Sequence, residues 1–148
     1  MLRALKASNY MTTSLVTVKS STDIYQAIDL LLTYEISGLP VVDEKGNLVG
    51  MLSESDCLRS ALSSGYYEDG PATVEAFMTT TVDTISPDEG LIKVAEIFIQ
   101  KNRRRLPVVE NGKLIGQISR RDVLKAIKDI NQNVAETETN SFIAVSRV

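Results

Sequence analysis

Apolar residues recur in short groups along the chain, and the spacing within each group alternates between strand-like and helix-like. Alternating apolar positions over Leu15–Val18, and again over Val82–Ile85, predict two short strands. Each is followed by apolar residues at helical spacing, which in the first segment are Ile24, Ala27, Ile28, Leu31 and Leu32. In the second segment they are Leu91, Ile92, Ala95, Phe98 and Ile99. The second helix is expected to begin with a capping box from Ser86 to Glu89.

Shorter apolar runs come next, and their length and β-branched residues predict buried strands at Leu39–Val42 and Leu106–Val109. Asn111-Gly112 is typical of a two-residue hairpin turn and leads into a further strand over Leu114–Ile118. A closing helix then follows in each half of the chain, over 55–63 and over 121–130.

The chain contains an internal repeat. Met11-Thr12-Thr13 recurs as Met78-Thr79-Thr80, and Leu39–Val42 recurs as Leu106–Val109. After a gap of one residue the match continues at Gly50, Ser53, Asp56 and Leu58 in the first copy, and at Gly116, Ser119, Asp122 and Leu124 in the second. Similarity of this extent indicates a duplicated unit.

Each copy has the element order β-α-β-β-α and is too small to cover both faces of its own sheet. Two copies packed through their sheets would share a core. The predicted fold class is therefore α+β, with two repeats related by pseudo-twofold symmetry. The expected boundaries are 8–64 for the first repeat, 65–74 for a linker, 75–130 for the second repeat and 131–148 for a C-terminal tail.

Composition narrows the function classes. The net charge of −3 and the 5% aromatic content disfavour a nucleic-acid binder. The chain has no histidine and no Walker sequence, so an enzyme is not expected and no catalytic residue is assigned. Cys57 is the single cysteine, which favours a cytoplasmic protein, and its match to Val123 predicts a buried, inert thiol. No metal site and no membrane span are expected.

These repeated motifs resemble the tandem CBS-domain pair, also called a Bateman module, and the resemblance extends from Ser8 to Ile130. It is carried by Met-Thr before the first strand, by Leu-Pro-Val-Val in the second, and by Gly-x-x-Ser-x-x-Asp before the last helix. The resemblance implies a protein that binds adenosine-containing molecules between its repeats and often forms homodimers.

The Ser-x-x-Asp sequence has two interpretations that the sequence leaves open. Ser53 and Ser119 can cap a helix, while Asp56 and Asp122 complement its positive end. The same carboxylates can also accept hydrogen bonds from ribose hydroxyls. Gly50 and Gly116 either allow a ligand to approach the backbone or suit the exit of the strand.

The second copy carries Arg103-Arg104-Arg105 and Arg120-Arg121, whose guanidinium groups suit phosphate oxygens, whereas the first copy has Ile36-Ser37-Gly38. Arg103 is expected to complement a helix end instead. With the resemblance, the main site is expected to combine Val16, Ser37, Gly38, Leu39, Pro40, Arg104, Arg105, Ser119, Arg121 and Asp122. A weaker second site would use Ser53, Asp56, Asp83 and Arg105, with the acidic Asp83 opposing a phosphate.

The function expected from this resemblance is regulatory. The chain is predicted to sense an adenine nucleotide (AMP, ADP or ATP, with S-adenosylmethionine or NAD as alternatives) and to need no cofactor. Bound ligand would change the relative orientation of the repeats, and a separate, unidentified partner protein would respond to that change. The alternative is a structural dimerisation module that binds no small molecule.

Overall fold

The computed structural model describes residues 2–63 and 72–146, and the side chains as far as residue 135. In chain order the helices are α1 (Ala7–Tyr10), α2 (Ile24–Thr33), α3 (Glu54–Leu62), α4 (Leu91–Lys101) and α5 (Arg120–Ser146). The strands are β1 (Gly38–Val42), β2 (Leu48–Ser53), β3 (Arg105–Glu110) and β4 (Lys113–Ser119). This mixture of helices with two small sheets confirms the α+β class.

Each sheet is a hairpin that leads directly into a helix. Strands β1 and β2 pair antiparallel, with Gly38 opposite Ser53, and β3 pairs with β4. In the second hairpin Asn111 and Gly112 have φ angles of 52° and 81°. Two consecutive positive φ angles are what a tight two-residue turn needs, so this prediction is confirmed.

The predicted first strand of each repeat is wrong in length. Val18 forms a parallel bridge to Val41, with its N–H 3.1 Å from the Pro40 carbonyl oxygen and its own carbonyl 2.9 Å from the Val42 nitrogen. Ile85 bridges to Val108 in the same way. Because Pro40 has no N–H to donate to the Val16 carbonyl, the ladder cannot extend from Val18 toward Val16.

The buried faces of α2 and α4 differ slightly from those predicted. Helix α2 buries Ile24, Ala27 and Leu31, and α4 buries Leu91, Val94 and Phe98. Leu32 is 73% exposed and Ile99 is 82% exposed, so these two members of the predicted apolar faces lie at the surface. An apolar residue next to the buried row lies about 100° round the helix, which is enough to bring it to the surface.

The predicted capping box at the start of α4 is also wrong. The Ser86 hydroxyl accepts a hydrogen bond from the Asp88 N–H at 3.1 Å within a turn, and α4 begins only after Gly90. The first residue of α4 is bound by the N-terminal segment, because the Leu91 N–H donates to the Leu5 carbonyl at 3.0 Å. This backbone pairing over a long sequence separation cannot be read from local capping signals.

Helix α5 continues well beyond its predicted end at Ile130 and reaches Ser146. The segment 131–146 contains neither glycine nor proline, so no residue in it breaks the helix. The predicted domain boundaries stay a prediction, and residues 65–71 of the predicted linker lie outside the described part of the chain. No described helix is both long and apolar enough to cross a membrane.

The chain divides into two compact units, and these do not coincide with the two repeats. The first-repeat unit contains Thr13–Thr84 and Val109–Ile115. The second-repeat unit contains the N-terminal segment as far as Thr12, Ile85–Val108 and the chain from Gly116 onwards. The core of the first-repeat unit is formed by Val18, Ile24, Ala27, Leu31, Leu39, Val41, Leu52, Cys57, Ala72 and Val74.

Candidate functional site

The Ser-x-x-Asp sequences form the same helix cap in both repeats. In the first, the Asp56 N–H donates to the Ser53 hydroxyl at 3.1 Å, and the Ser53 N–H donates to Asp56 Oδ2 at 2.8 Å. In the second, the corresponding distances between Asp122 and Ser119 are 3.2 and 2.8 Å. The capping interpretation is confirmed, and it uses one oxygen of each carboxylate.

The two aspartates differ at their outer oxygen. Asp56 Oδ1 accepts a charge-assisted hydrogen bond from Nη2 of Arg59, three residues later on α3, and the Asp56 side chain is only 3% exposed. Asp122 is half-buried, and among the described residues no group donates to its Oδ1. Asp122 therefore presents an unoccupied acceptor at the start of α5, whereas the acceptor of Asp56 is covered.

Arginines lie beside the Asp122 cap because β3 begins next to α5. The Arg120 N–H donates to the Arg104 carbonyl at 3.2 Å, which holds the residue before β3 against the first turn of the helix. Arg104 and Arg121 are exposed, and neither side chain has a hydrogen bond or ion pair among the described residues. Arg105 is half-buried, and its Nε is buried without a hydrogen-bond partner. Such a buried donor is costly unless a ligand or water satisfies it.

Arg120 has a structural role that the sequence did not indicate. Its Nε donates to the Arg103 carbonyl at 2.6 Å and its Nη2 donates to Asn102 Oδ1 at 2.9 Å. Asn102 ends α4 in the left-handed conformation, with φ at 49°. Arg120 thus binds the two residues that follow α4, so its guanidinium group is already engaged.

The remaining residues predicted for the sites lie in the first-repeat unit. The Ser37 carbonyl accepts a hydrogen bond from the Glu54 N–H at 3.0 Å, and Gly38 pairs with Ser53. Leu39 and Pro40, which follow Gly38, are fully buried. Val16 packs partly buried against the core, and Asp83 is half-buried. Because the predicted main and second sites both draw on residues of the two units, their assembly stays a prediction.

At Gly50 and Gly116 another segment of the chain packs so closely on the backbone that a side chain would not fit. A Cβ at Gly116 would lie 2.6 Å from Met11 Sδ and 3.1 Å from the Thr12 carbonyl oxygen. The same arrangement recurs at Gly50, where a Cβ would lie 3.0 Å from Met78 Sδ. The repeated Met-Thr sequence therefore packs on the repeated glycine, and it is this segment that approaches the backbone.

Gly116→Ala should accordingly destabilise the protein, because the added methyl group overlaps a side chain and a backbone carbonyl. We expect a loss of about 1–3 kcal/mol in the free energy of unfolding, measured by urea denaturation. Gly90→Ala is the control, since no atom outside its two chain neighbours lies within 4 Å of the position that its added methyl group would take. Equal stabilities of the two variants would contradict this explanation of the motif.

Cys57 is buried and unpaired, as its sequence match to Val123 predicted. Burial raises the pKa of its thiol, and the nearby carboxylates of Asp56 and Glu54 raise that pKa further. A thiol that resists ionisation is a poor nucleophile and a poor metal ligand. Among the described residues, no group of three or more His, Cys, Asp or Glu side chains could hold a metal ion.

Comparison with known proteins identifies the repeat. The family model of the CBS domain matches residues 7–63 and 74–129. The CBS domain-containing protein YhcV of Bacillus subtilis is 31% identical, over 92% of this chain and 91% of that protein. An uncharacterized protein of Methanocaldococcus jannaschii is 32% identical over 79% of this chain, which spans only 41% of that protein.

Two solved structures have the same fold and contain adenosine compounds. CBSX2 of Arabidopsis thaliana, in complex with AMP, is 32% identical with a TM-score of 0.76, covering 85% of this chain and 98% of that one. The CBS domain pair of protein MJ0100, in complex with 5′-methylthioadenosine and S-adenosyl-L-methionine, is 25% identical with a TM-score of 0.71. It covers 84% of this chain and 97% of that one.

Proposed function

The chain belongs to the CBS-domain family and contains a tandem pair of these domains, and on that premise we propose that it is a non-catalytic regulatory module that binds an adenine nucleotide. Two observations carry this proposal: an open carboxylate oxygen on Asp122 at the start of α5, and the unsatisfied Nε of Arg105 at the start of β3. AMP and S-adenosylmethionine in complexes of two relatives support the same ligand class.

In the proposed complex, Asp122 binds the ribose. Its Oδ2 remains in the helix cap with the Ser119 N–H, and Oδ1 accepts hydrogen bonds from the ribose hydroxyls. The cap fixes the carboxylate before the ligand arrives, so little side-chain entropy is lost on binding. We further propose that Val16, Ser37 and Gly38 contribute the adenine contacts, and that Leu39 and Pro40, which are fully buried, support this segment from the core.

The arginines favour a ligand that carries phosphate. Arg104, Arg105 and Arg121 lie on the two chain segments that meet at the start of α5, where the helix dipole also attracts an anion. S-adenosylmethionine carries a positive charge at its sulfonium and would be repelled by such a cluster. AMP, ADP or ATP is therefore the ligand that this charge distribution fits best.

Arg104→Ala combined with Arg105→Ala tests the phosphate contact. Loss of two charge-assisted hydrogen bonds should weaken AMP or ATP binding about 10- to 100-fold, while adenosine binding changes about threefold or less. Titration calorimetry with the three ligands measures this difference directly.

The control for this charge change is Lys125→Ala combined with Lys128→Ala, which removes two positive charges from exposed positions further along α5. The control should retain most of its AMP affinity. Equal losses for adenosine and AMP in the arginine variant would show that the arginines do not bind phosphate.

Regulation would follow from selective binding. A ligand that binds one conformation more tightly shifts the population toward it, by an amount set by the difference in affinity. We propose that a separate partner protein recognises the ligand-favoured conformation.

We also propose that the chain forms a homodimer through its helices. Leu58 and Leu62 on α3 are 68% and 83% exposed, and Ile99 on α4 and Leu124 on α5 are 82% and 63% exposed. Large aliphatic side chains at corresponding helices of both repeats favour a second copy of the chain as the covering surface. A purely structural dimerisation module would use the same faces but bind no ligand.

A further inference from the structure

Arg59 marks a difference between the repeats that their shared Ser-x-x-Asp sequence conceals. The caps at Asp56 and Asp122 are nearly identical, with Oδ2 of each carboxylate 2.8 Å from the N–H of its capping serine. Only Asp56 is also bound by a guanidinium group, that of Arg59. The position three residues after Asp122 is Lys125, which is exposed and makes no such contact with it.

The ion pair between Asp56 and Arg59 is set by helix geometry. Residues three apart on a helix lie on the same side, so a long basic side chain can reach back to the carboxylate. Arg59 is 65% exposed while the Asp56 side chain is 3% exposed, so the guanidinium lies over the carboxylate on its solvent side. Arginine also donates through a rigid planar fork that lysine lacks.

We propose that Arg59 is the residue that restricts ligand binding to the second repeat. It occupies the carboxylate oxygen that would otherwise accept the ribose hydroxyls, so the first repeat satisfies its own acceptor internally. A ribose must displace a charged donor to reach Asp56, whereas Asp122 has its outer oxygen unoccupied. This inference rests on the proposed function, since it assumes that Asp122 binds ribose.

The charges near Asp56 also determine which ligand this carboxylate would bind once Arg59 is removed. Helix α3 begins with Glu54, where α5 begins with Arg120, and Glu54 is exposed. A phosphate near the start of α3 would be repelled by this carboxylate. Removal of Arg59 would therefore expose an acceptor suited to a nucleoside without phosphate, such as adenosine.

Equilibrium dialysis with labelled adenosine counts the binding sites per chain. Wild type should bind one adenosine, and Arg59→Ala should bind two. The double variant Arg59→Ala with Asp56→Ala should return to one, and Lys125→Ala, the matched position on α5, should remain at one. One site in Arg59→Ala, or two sites in wild type, would overturn the role of Arg59.

A reciprocal variant covers the case in which Arg59→Ala unfolds. Lys125→Arg places an arginine three residues after Asp122, copying the first repeat, and should weaken adenosine binding about three- to tenfold by competing for Oδ1. Lys128→Arg, a residue outside this spacing, is its control. Unchanged affinity in Lys125→Arg would overturn the proposal, whereas failure of wild type to bind any adenosine compound would sink the proposed function itself.

Discussion

Asp122→Ala is expected to weaken AMP binding about 10- to 100-fold, because it removes an ionised acceptor that binds the ribose. The same variant should lose most of the rise in melting temperature that saturating AMP gives to wild type, since a ligand stabilises the folded state only as far as it binds. Titration calorimetry and thermal unfolding with added AMP measure these two effects.

Asp56→Ala is the matched control for the loss of the helix cap. Each substitution removes one carboxylate bonded to the N–H of its capping serine, at 2.8 Å in both repeats. Both variants should therefore lose about 1 kcal/mol of stability from the cap, and Asp56→Ala should also lose the contribution of its ion pair with Arg59. Only Asp122→Ala should also lose affinity, because Arg59 already covers Asp56.

Asp122→Asn separates the ligand contact from the cap more finely. The amide oxygen can still accept from the Ser119 N–H, while the amide nitrogen replaces an acceptor by a donor. We expect near-normal stability and weak AMP binding. Equal AMP affinity in Asp122→Asn, Asp122→Ala and wild type would contradict the role given to this carboxylate.

Leu58→Glu combined with Leu124→Glu is expected to dissociate the proposed homodimer. These leucines are 68% and 63% exposed, so the substitutions should leave each folded chain intact. Burial of two carboxylates in each copy at an apolar interface costs several kcal/mol, which exceeds what a dimer of moderate affinity can tolerate. Light scattering after size exclusion should give about twice 16.2 kDa for wild type and 16.2 kDa for the variant.

The control for this experiment is Lys128→Glu, which introduces the same residue at an exposed polar position of α5. It should remain dimeric. A monomeric wild type at every concentration would contradict the dimer, and a dimeric double variant would show that the interface lies elsewhere on the chain.

The repeated parts of the fold could be predicted from the sequence because they depend on local signals. The hairpin at Asn111-Gly112 needs two positive φ angles, and the Ser-x-x-Asp caps need only neighbouring residues. Elements set by partners distant in sequence were less predictable. Strand pairing at Val18 stops where Pro40 lacks an N–H, and α4 starts where Leu5 accepts the Leu91 N–H.

Part of the candidate site was predictable for the same reason. The duplication identified Asp56 and Asp122 as equivalent positions. It did not show that the two carboxylates differ in their hydrogen-bond partners, because only Asp56 is paired with an arginine. The ion pair of Arg59 with Asp56 follows from helical spacing and could have been inferred. The engagement of Arg120 with the end of α4 could not, because it depends on how β3 and α5 meet.

Calorimetric titration of the wild-type chain with AMP, ADP and ATP decides whether the chain binds an adenine nucleotide. We expect saturable binding of at least one of these nucleotides, with one site per chain. Absence of measurable binding and of any thermal stabilisation with all three nucleotides, and with adenosine and S-adenosylmethionine, would contradict it and leave a structural dimerisation module as the function.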